Sequence, residues 1–372
     1  MFPPDLAWDL SLNSVLEAPP AFNGDRAYFP IADNRIAAYD IRHGTLLWIA
    51  PGTPRFEPIV AEDLLFEIDA EAIIALHTDT GVEAWRFELA EPLSAPLSWG
   101  NGWLVATTSA GTVFAFRASD GGLIWRRELD AVIHARATVA QNRVYVPMND
   151  GRIIALQVEN GEPVWERRLG GAPNEIAATP ERVYAGSNDN FFYALRARDG
   201  LIEWRWSTGA DVIGRPVVDA QRVYFVSFDN VLRALDKNIG NQRWKRPLSI
   251  RPTRGPVVMG DMLIVSGVSA SALVFTMKDG TPVGSLAGPT SSELAAAPHV
   301  VTGEGLPMVM LVLRDLTKGT ILRTVTRSIE PQVLPLAPLP NPTPPPAAPP
   351  PLPDAQSQPA DTDRATEDAV RP

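Results

Sequence analysis

The sequence contains no cysteine, and this absence excludes several kinds of chemistry. We therefore expect no disulfide bridge, thiolate metal site, cysteine nucleophile or lipid-modified cysteine. Only four histidines occur, at positions 43, 77, 134 and 299, and none belongs to an HExxH or similar metal-binding pattern. These two scarcities leave no sequence signal for a metal centre.

The sequence is also short of positive charge and of long apolar runs. The 33 Lys and Arg residues against 43 Asp and Glu give a net charge of −10, which disfavours a nucleic-acid or anionic-membrane binder. No stretch reaches the roughly 18 consecutive apolar residues of a membrane span. Residues 1–5 (MFPPD) show no basic or apolar signal-peptide region. The sequence predicts either a cytoplasmic protein or one whose export signal is missing from this version of the chain.

Residues 331–372 differ in composition from the rest of the chain. They hold 14 of the 36 prolines, and from Asp354 onward they are polar and mildly acidic. Such a segment buries too little apolar surface to offset its ordering entropy, so we expect a Pro-rich disordered tail. The alternative is a polyproline ligand for an aromatic-lined groove, for which Pro342-Thr343-Pro344-Pro345 gives weak support.

The preceding residues are a repeat. Each unit has two apolar strands, a polar turn that ends in Gly, and a Trp four positions after the Gly. The intervals between the Trp residues of this pattern, from Trp48 to Trp244, are 37, 40, 40, 39 and 40. The pairs are Gly44/Trp48, Gly81/Trp85, Gly121/Trp125, Gly161/Trp165, Gly200/Trp204 and Gly240/Trp244. A seventh copy has Gly284 in place of Trp, so we expect one less well filled seam.

Each unit contains four short strands and no helical periodicity. In the fourth unit they lie near residues 137–140, 143–147, 152–157 and 163–168, separated by turns such as Asn149-Asp150-Gly151. Four strands in a repeat of this length are typical of a propeller blade. The Gly provides a positive φ before the outer strand, and the large Trp fills the seam between blades rather than stacking on a ligand.

The chain ends determine the number of blades. Residues 294–300, 308–313 and 321–327 predict three strands of a last blade, and no fourth strand follows them. Trp8 precedes Trp48 by one repeat length, so residues 7–12 supply the missing outer strand and remove both open edges. The fold class is therefore all-β: an eight-bladed propeller of four-stranded antiparallel blades over residues 1–330, closed by an N-terminal strand. Trp8 joins the six later Trp residues as blade-docking residues.

The run from Ala155 through Gly161 to Trp165 resembles the PQQ-like (pyrroloquinoline quinone) β-propeller repeat, and the resemblance covers about residues 7–327. That family includes quinoprotein dehydrogenases and BamB, the outer-membrane β-barrel assembly lipoprotein. The layout, with a closing N-terminal strand in a chain of only 372 residues, is similar to the BamB branch. The resemblance implies a protein partner, such as outer-membrane assembly components, and a periplasmic or cell-envelope location.

The dehydrogenase branch implies PQQ and a Ca²⁺ held by carboxylate and amide oxygens beside a catalytic Asp. The repeated acids instead lie in polar turns before Gly, as at Asp79, Asp120, Asp199 and Asp279, where turn chemistry explains them. No catalytic, cofactor-binding or metal-binding residue is predicted. The sequence disfavours PQQ and Ca²⁺ without excluding them, and we expect a monomeric, non-catalytic protein.

One column of residues precedes the first strand of each unit and should surround one mouth of the central channel. Its members are Pro19, Glu57, Ala95, Arg136, Glu175, Arg215, Gly255 and Ala297. His134, Asp211, Arg251 and Arg254 add polar groups nearby. The column predicts either a structural ion-pair network or a partner-binding patch at Arg136, Glu175, Arg215 and Arg254.

Three functions are compatible with these features. The first is a non-catalytic protein-binding scaffold of the bacterial cell envelope, similar to BamB. The second is a small PQQ-binding dehydrogenase or ligand sensor. The third is a sensor module from a longer signalling chain, with residues 331–372 as its linker.

Overall fold

The computed structural model describes residues 2–69, 72–301, 307–315 and 317–327, and these form 33 β-strands and no helix. The strands make eight antiparallel sheets, which confirms the eight-bladed propeller. The predicted tail, 331–372, lies outside the described residues. Seven sheets are continuous in sequence, and the eighth combines strands from both ends of the described chain.

The first four blades run in chain order from the inner to the outer strand. Their strands are β2 (Ala21–Asn23), β3 (Arg26–Ile31), β4 (Arg35–Asp40) and β5 (Thr45–Pro51) in blade 1; β6 (Ile59–Ala61), β7 (Leu64–Ile68), β8 (Ala72–His77) and β9 (Glu83–Glu88) in blade 2; β10 (Ser98–Gly100), β11 (Trp103–Thr107), β12 (Thr112–Arg117) and β13 (Leu123–Glu128) in blade 3; and β14 (Thr138–Ala140), β15 (Arg143–Pro147), β16 (Arg152–Gln157) and β17 (Pro163–Arg168) in blade 4.

The other four blades follow the same order, except that the outer strand of blade 8 comes from the start of the chain. Their strands are β18 (Pro173–Ala178), β19 (Arg182–Ser187), β20 (Phe191–Arg196) and β21 (Ile202–Ser207) in blade 5; β22 (Val212–Val218), β23 (Arg222–Ser227), β24 (Val231–Asp236) and β25 (Gln242–Pro247) in blade 6; β26 (Val257–Met259), β27 (Met262–Val265), β28 (Ser271–Thr276) and β29 (Pro282–Ala287) in blade 7; and β30 (Ser292–Leu294), β31 (His299–Val301), β32 (Met308–Asp315), β33 (Gly319–Arg327) and β1 (Pro4–Ser11) in blade 8.

The predicted Trp residues connect neighbouring blades. Trp48 in β5 donates its indole N–H to the carbonyl of Thr78 in blade 2, at 3.0 Å, and its ring covers Gly81, which has a φ of +72°. A Cβ at Gly81 would lie 2.6 Å from the Trp48 ring, so only glycine fits there. The same pair of contacts joins Trp85, Trp125, Trp165, Trp204 and Trp244 to the next blade. These six Trp residues and Trp8 are therefore blade-docking residues.

The apolar core lies between blades. Each cluster of buried side chains draws on two adjacent blades; one of them combines Phe66 of blade 2 with Leu104 and Phe116 of blade 3. Phe66 also packs against Trp85, with ring centroids 5.7 Å apart, as Tyr28 does against Trp48. Because β-strand side chains alternate between the two faces of a sheet, every blade contributes to the seams on both of its sides.

The ring closes through the first strand, as predicted. β1 pairs antiparallel with β33, from Pro4 opposite Arg327 to Ser11 opposite Ile321. Trp8 donates to the carbonyl of Ile41 at 2.9 Å and covers Gly44 of blade 1, so the closing strand makes the same contact as the other outer strands. At the inner end of this seam, His299 stacks on Phe22 of β2 with centroids 4.2 Å apart.

The expected weak seam at Gly284 is filled, so that expectation was wrong. A Cβ at Gly284 would lie 2.8 Å from the ring of Phe2, and Phe2 packs against the apolar cluster shared by blades 7 and 8. An aromatic ring from the N-terminal segment therefore occupies the place that the missing Trp leaves.

The seam between blades 1 and 2 contains an unusual acid, Glu67. The corresponding positions in the other blades are apolar: Phe29, Ala106, Val146, Ala185, Phe225, Val265 and Leu311. Glu67 is 1% exposed, and neither carboxyl oxygen has a hydrogen-bond partner among the described residues. Burial raises its pKa to about 8; Asp69 and Glu83 add to this shift and Arg86 opposes it.

We expect Trp8→Ala to destabilise the whole ring by about 3 kcal/mol, because it removes the aromatic ring that closes the last seam. The matched control is Leu6→Ala on the same strand, where the side chain is 56% exposed and the expected loss is below about 0.5 kcal/mol. Equilibrium urea unfolding measures both. Equal midpoints for the two variants would contradict the closure role of Trp8.

We expect Glu67→Gln to flatten the pH dependence of stability. The folded-state pKa of about 8 exceeds the ordinary value of 4.5, so between these pH values the folded protein holds a proton that the unfolded chain releases. The free energy of unfolding therefore falls as pH rises through this window, by about 5 kcal/mol at most. Urea unfolding at pH 5, 7 and 9 tests this. The exposed Glu162→Gln should keep the wild-type slope, and a Glu67→Gln protein that does so too would refute the assignment.

Candidate functional site

The central channel opens into a cavity of about 830 Å³ to which all eight blades contribute. Seven of the eight residues in the predicted column line it: Pro19, Glu57, Arg136, Glu175, Arg215, Gly255 and Ala297. The exception is Ala95, which is fully buried while its neighbour Pro96 lines the cavity. The structure thus brings together residues separated by up to 278 positions in the chain.

Two β-bulges project Glu175 and Arg215 into this cavity. In blade 5, Pro173 pairs with Ser187 and the next pair is Ile176 with Ala185, so Asn174 and Glu175 are left out of the ladder. In blade 6, the segment of β22 between Ile213 and Val217, which includes Arg215, is left out in the same way. A bulge bends its strand and redirects side chains, which explains why these two inner strands reach the channel mouth.

A close backbone contact fixes the position of Arg215. Gly214 has a φ of +63°, and a Cβ there would lie 2.0 Å from the backbone nitrogen of Gly255 in the next blade. A Cβ at Gly255 would in turn lie 2.1 Å from the carbonyl oxygen of Arg215. Glycine is required at both positions, because any side chain would push blades 6 and 7 apart.

The three arginines of the predicted patch have different partners. Arg136 of blade 4 donates to Glu57 of blade 2 at 2.8 Å at the channel mouth, although the two residues are 79 positions apart. Arg254 donates to the carbonyl of Ala295 at 3.0 Å. Arg215 makes no hydrogen bond or ion pair with any described residue. The expected alternation of Arg136, Glu175 and Arg215 is thus present in space, but the ion pair runs to Glu57.

The channel walls and the neighbouring charges shift the pKa values of Arg215 and Arg254. The side chain of Arg215 is exposed to the cavity, but the surrounding channel walls partly desolvate it and lower its pKa; Glu175 opposes this shift and Arg136 adds to it. Burial likewise lowers the pKa of Arg254, with Glu57 and Glu175 opposing. Both guanidinium groups stay charged, because arginine does not lose its proton in proteins.

Arg136, Glu175 and Arg215 also line a second, smaller cavity of about 210 Å³, together with Ile59 and Trp99. The three charged side chains therefore border both cavities. Around the smaller one, the Nε of Arg136, the Nε1 of Trp99 and the Oγ of Ser98 have no hydrogen-bond partner among the described residues. The inner channel thus has more donors than the folded chain itself satisfies.

Apolar side chains lie on the loops beside the mouth. Phe228, at the β23–β24 hairpin, is 41% exposed and lines the large cavity, with the guanidinium of Arg251 5.2 Å from its ring centre. Val268, on the corresponding hairpin of blade 7, is 59% exposed, and Val132, on the loop that enters blade 4, is 39% exposed. Phe228 was not among the predicted site residues, and its place before Asp229-Asn230 in a hairpin turn is the sequence signal that could have identified it.

The polar residues expected near the column are partly at the cavity. His134, Asp211 and Arg254 line it, as expected, whereas Arg251 is not among the cavity-lining residues and lies against Phe228 instead. The mouth therefore combines the predicted charged residues with the Phe228 ring, which makes a cation–π contact with Arg251.

The cavity is a poor match for a quinone and its calcium ion. Its lining acids are Glu57, Glu175 and Asp211, and Glu57 is already bound to Arg136. Within the described residues, no three His, Cys, Asp or Glu side chains lie close enough together to hold a metal ion. The arginines, rather than a converging set of oxygen ligands, dominate the chemistry of this site.

We expect Gly214→Ala to destabilise the protein by more than about 2 kcal/mol, because the new Cβ collides with the backbone of Gly255. Gly24→Ala is the matched control: it has a similar φ of +58° and nothing within 4 Å, so it measures only the backbone strain of about 1 kcal/mol. Thermal unfolding compares the two variants. Equal losses would show that the contact between blades 6 and 7 is unimportant.

Comparisons with known proteins agree with the architecture. Residues 69–180 and 168–309 match the family model described as outer membrane protein assembly factor BamB. BamB of Yersinia pestis is 29% identical over 110 residues, and the match spans only 28% of each protein.

Two solved structures show the same fold. The crystal structure of BamB from Moraxella catarrhalis superimposes with a TM-score of 0.68 at 17% identity, covering 87% of this chain and all of that one. Quinohemoprotein alcohol dehydrogenase from Comamonas testosteroni gives a TM-score of 0.68 at 13% identity, covering 88% of this chain and 78% of that one. At these low identities the two structures show only that the fold is shared. The family model, in contrast, matches more than half of the chain and so shows the family. The chain belongs to the family of the outer membrane protein assembly factor BamB.

Proposed function

We propose that this protein is a non-catalytic, protein-binding scaffold of the bacterial cell envelope that acts in outer-membrane protein assembly. Membership in the BamB family supports the general role. The proposal extends it to a protein partner that docks on the channel mouth and to a periplasmic location. Among the described residues, no helix is long and apolar enough to cross a membrane.

The observation that carries this proposal is the composition of the mouth. Its centre holds Arg136, Glu175, Arg215 and Arg254, and exposed apolar side chains such as Phe228 lie on the loops of the same face. Arginine and aromatic side chains are enriched among residues that dominate protein–protein binding. The rigid ring holds these groups in place, so a partner meets a surface that needs little further ordering.

The alternative is a PQQ-dependent dehydrogenase, because a quinohemoprotein dehydrogenase shares the fold. The lining of the cavity favours the scaffold, since Glu57 is paired with Arg136 and, within the described residues, no three acidic or histidine side chains lie close enough together to hold a metal ion. Incubating the purified protein with PQQ and Ca²⁺ separates the two. A bound chromophore together with substrate-dependent dye reduction would support the dehydrogenase and refute the scaffold. The absence of a cofactor stays a prediction until that test.

We expect Arg215→Glu to abolish capture of the partner in a pull-down from the native source while leaving the melting temperature unchanged. The reason is that Arg215 is exposed and forms no hydrogen bond or ion pair within the described part of the chain, so its reversal breaks no internal bond. The loss of its attraction to Glu175 is offset by the relief of its repulsion from Arg136. Lys245→Glu is the matched control, because it makes the same charge change at an exposed position of outer strand β25. Mass spectrometry of the captured proteins is the measurement.

Recovery of outer-membrane assembly components by the wild-type protein and by Lys245→Glu, but not by Arg215→Glu, would support the proposal. Equal recovery by all three proteins would exclude the channel mouth as the docking surface. The same pull-down with and without residues 331–372 measures what the tail contributes to capture.

A further inference from the structure

Arg215 is an exposed charged group that has no hydrogen-bond partner among the described residues. Of the three arginines that line the large cavity, Arg136 is paired with Glu57 and Arg254 bonds the carbonyl of Ala295. The five N–H donors of Arg215 have no acceptor among the described residues. The side chain of Arg215 is exposed to the cavity, so an incoming anion can bind these donors without first breaking a bond within the described chain.

The position of this arginine is also fixed rather than incidental. It lies in the bulge of β22, directly after Gly214, where the backbones of blades 6 and 7 touch. Arg136, on a nearby blade, adds repulsion between like charges, which an anion between the two would relieve. The site thus combines a constrained backbone, a free guanidinium and a second positive charge.

We infer that Arg215 binds the carboxylate of an aspartate or glutamate side chain on a loop that the partner protein inserts into the channel. This inference rests on the proposed scaffold function and names the chemistry of the inserted group. The planar guanidinium fits a carboxylate in a two-pronged geometry, with both oxygens accepting N–H groups. Arg215 is a binding residue in this role, and no covalent step is involved.

The neighbouring charges select the kind of anion. Glu175 and Asp211 line the same cavity as Arg215, so a doubly charged phosphate meets stronger repulsion than a singly charged carboxylate. A volume of about 830 Å³ is far larger than an isolated carboxylate needs. The exposed Phe228 and Val268 would contact the apolar residues of an inserted loop, which a free carboxylate ion lacks.

The test uses the full chain and four probes: the capped peptide acetyl-Gly-Leu-Gly-Asp-Gly-Leu-Gly-amide, its Asn counterpart, sodium acetate and inorganic phosphate. Isothermal titration calorimetry measures affinity, and the Nε–Hε resonance of Arg215 in ¹⁵N NMR reports where the probe binds. We expect the Asp peptide to bind at least tenfold more tightly than the other three and to move the Arg215 resonance. Arg215→Gln should weaken the Asp peptide at least tenfold, Arg215→Lys should weaken it less, and Lys245→Gln should leave it unchanged.

Each contrary result overturns a named part of the inference. Equal binding of the Asn peptide refutes the carboxylate, equal binding of acetate refutes the loop, and stronger binding of phosphate refutes the selectivity. Undiminished binding by a folded Arg215→Gln protein refutes the assigned residue. Binding of the Asp peptide without any captured partner would reject the scaffold function alone, and a captured partner without peptide binding would reject this inference alone.

Discussion

The contact between a tryptophan and the glycine of the following blade is the constraint on which the ring depends. In each of seven seams the indole N–H bonds a turn carbonyl while the ring lies over a glycine with positive φ. The hydrogen bond sets how far one blade can slide along the next. The glycine, which has no Cβ, allows the tryptophan ring to approach closely and so sets the distance between the two blades. Because this contact lies at the outer edge of each blade, the residues at the axis are free to vary.

The residues near the axis depart from the regular pattern in blades 5 and 6. Their inner strands, β18 and β22, are about twice as long as the inner strands of the first four blades. The extra length contains the bulges, and the bulges carry Glu175 and Arg215 to the mouth. The glycine pair at 214 and 255 lets the backbones meet at that point. The Trp–Gly contacts at the outer strands therefore hold the ring together, while the bulges in β18 and β22 shape the site at its centre.

The regular part of this structure could be predicted from the sequence, because the Trp spacing sets the register of every blade. It predicts the number of blades, the role of Trp8 and the column at the channel mouth. The pairing of Arg136 with Glu57 could not be predicted, since it joins the non-adjacent blades 2 and 4 and depends on the length of both side chains. Likewise, nothing in a local pattern indicates that Phe2 covers Gly284, because that contact exists only once both chain ends have come together.

Glu67 and Arg215 show that the location of an ionisable side chain without a hydrogen-bond partner determines whether it affects stability or binding. Neither has a hydrogen-bond partner among the described residues. Glu67 lies in a sealed apolar seam and escapes the cost of burial by holding a proton, since its pKa is raised to about 8. The guanidinium of Arg215, in contrast, keeps its charge at every physiological pH. Arg215 is exposed to the cavity, where water solvates it and an anion can reach it. An unpaired acid in a seam therefore affects stability, whereas an unpaired arginine in an open channel is suited to binding.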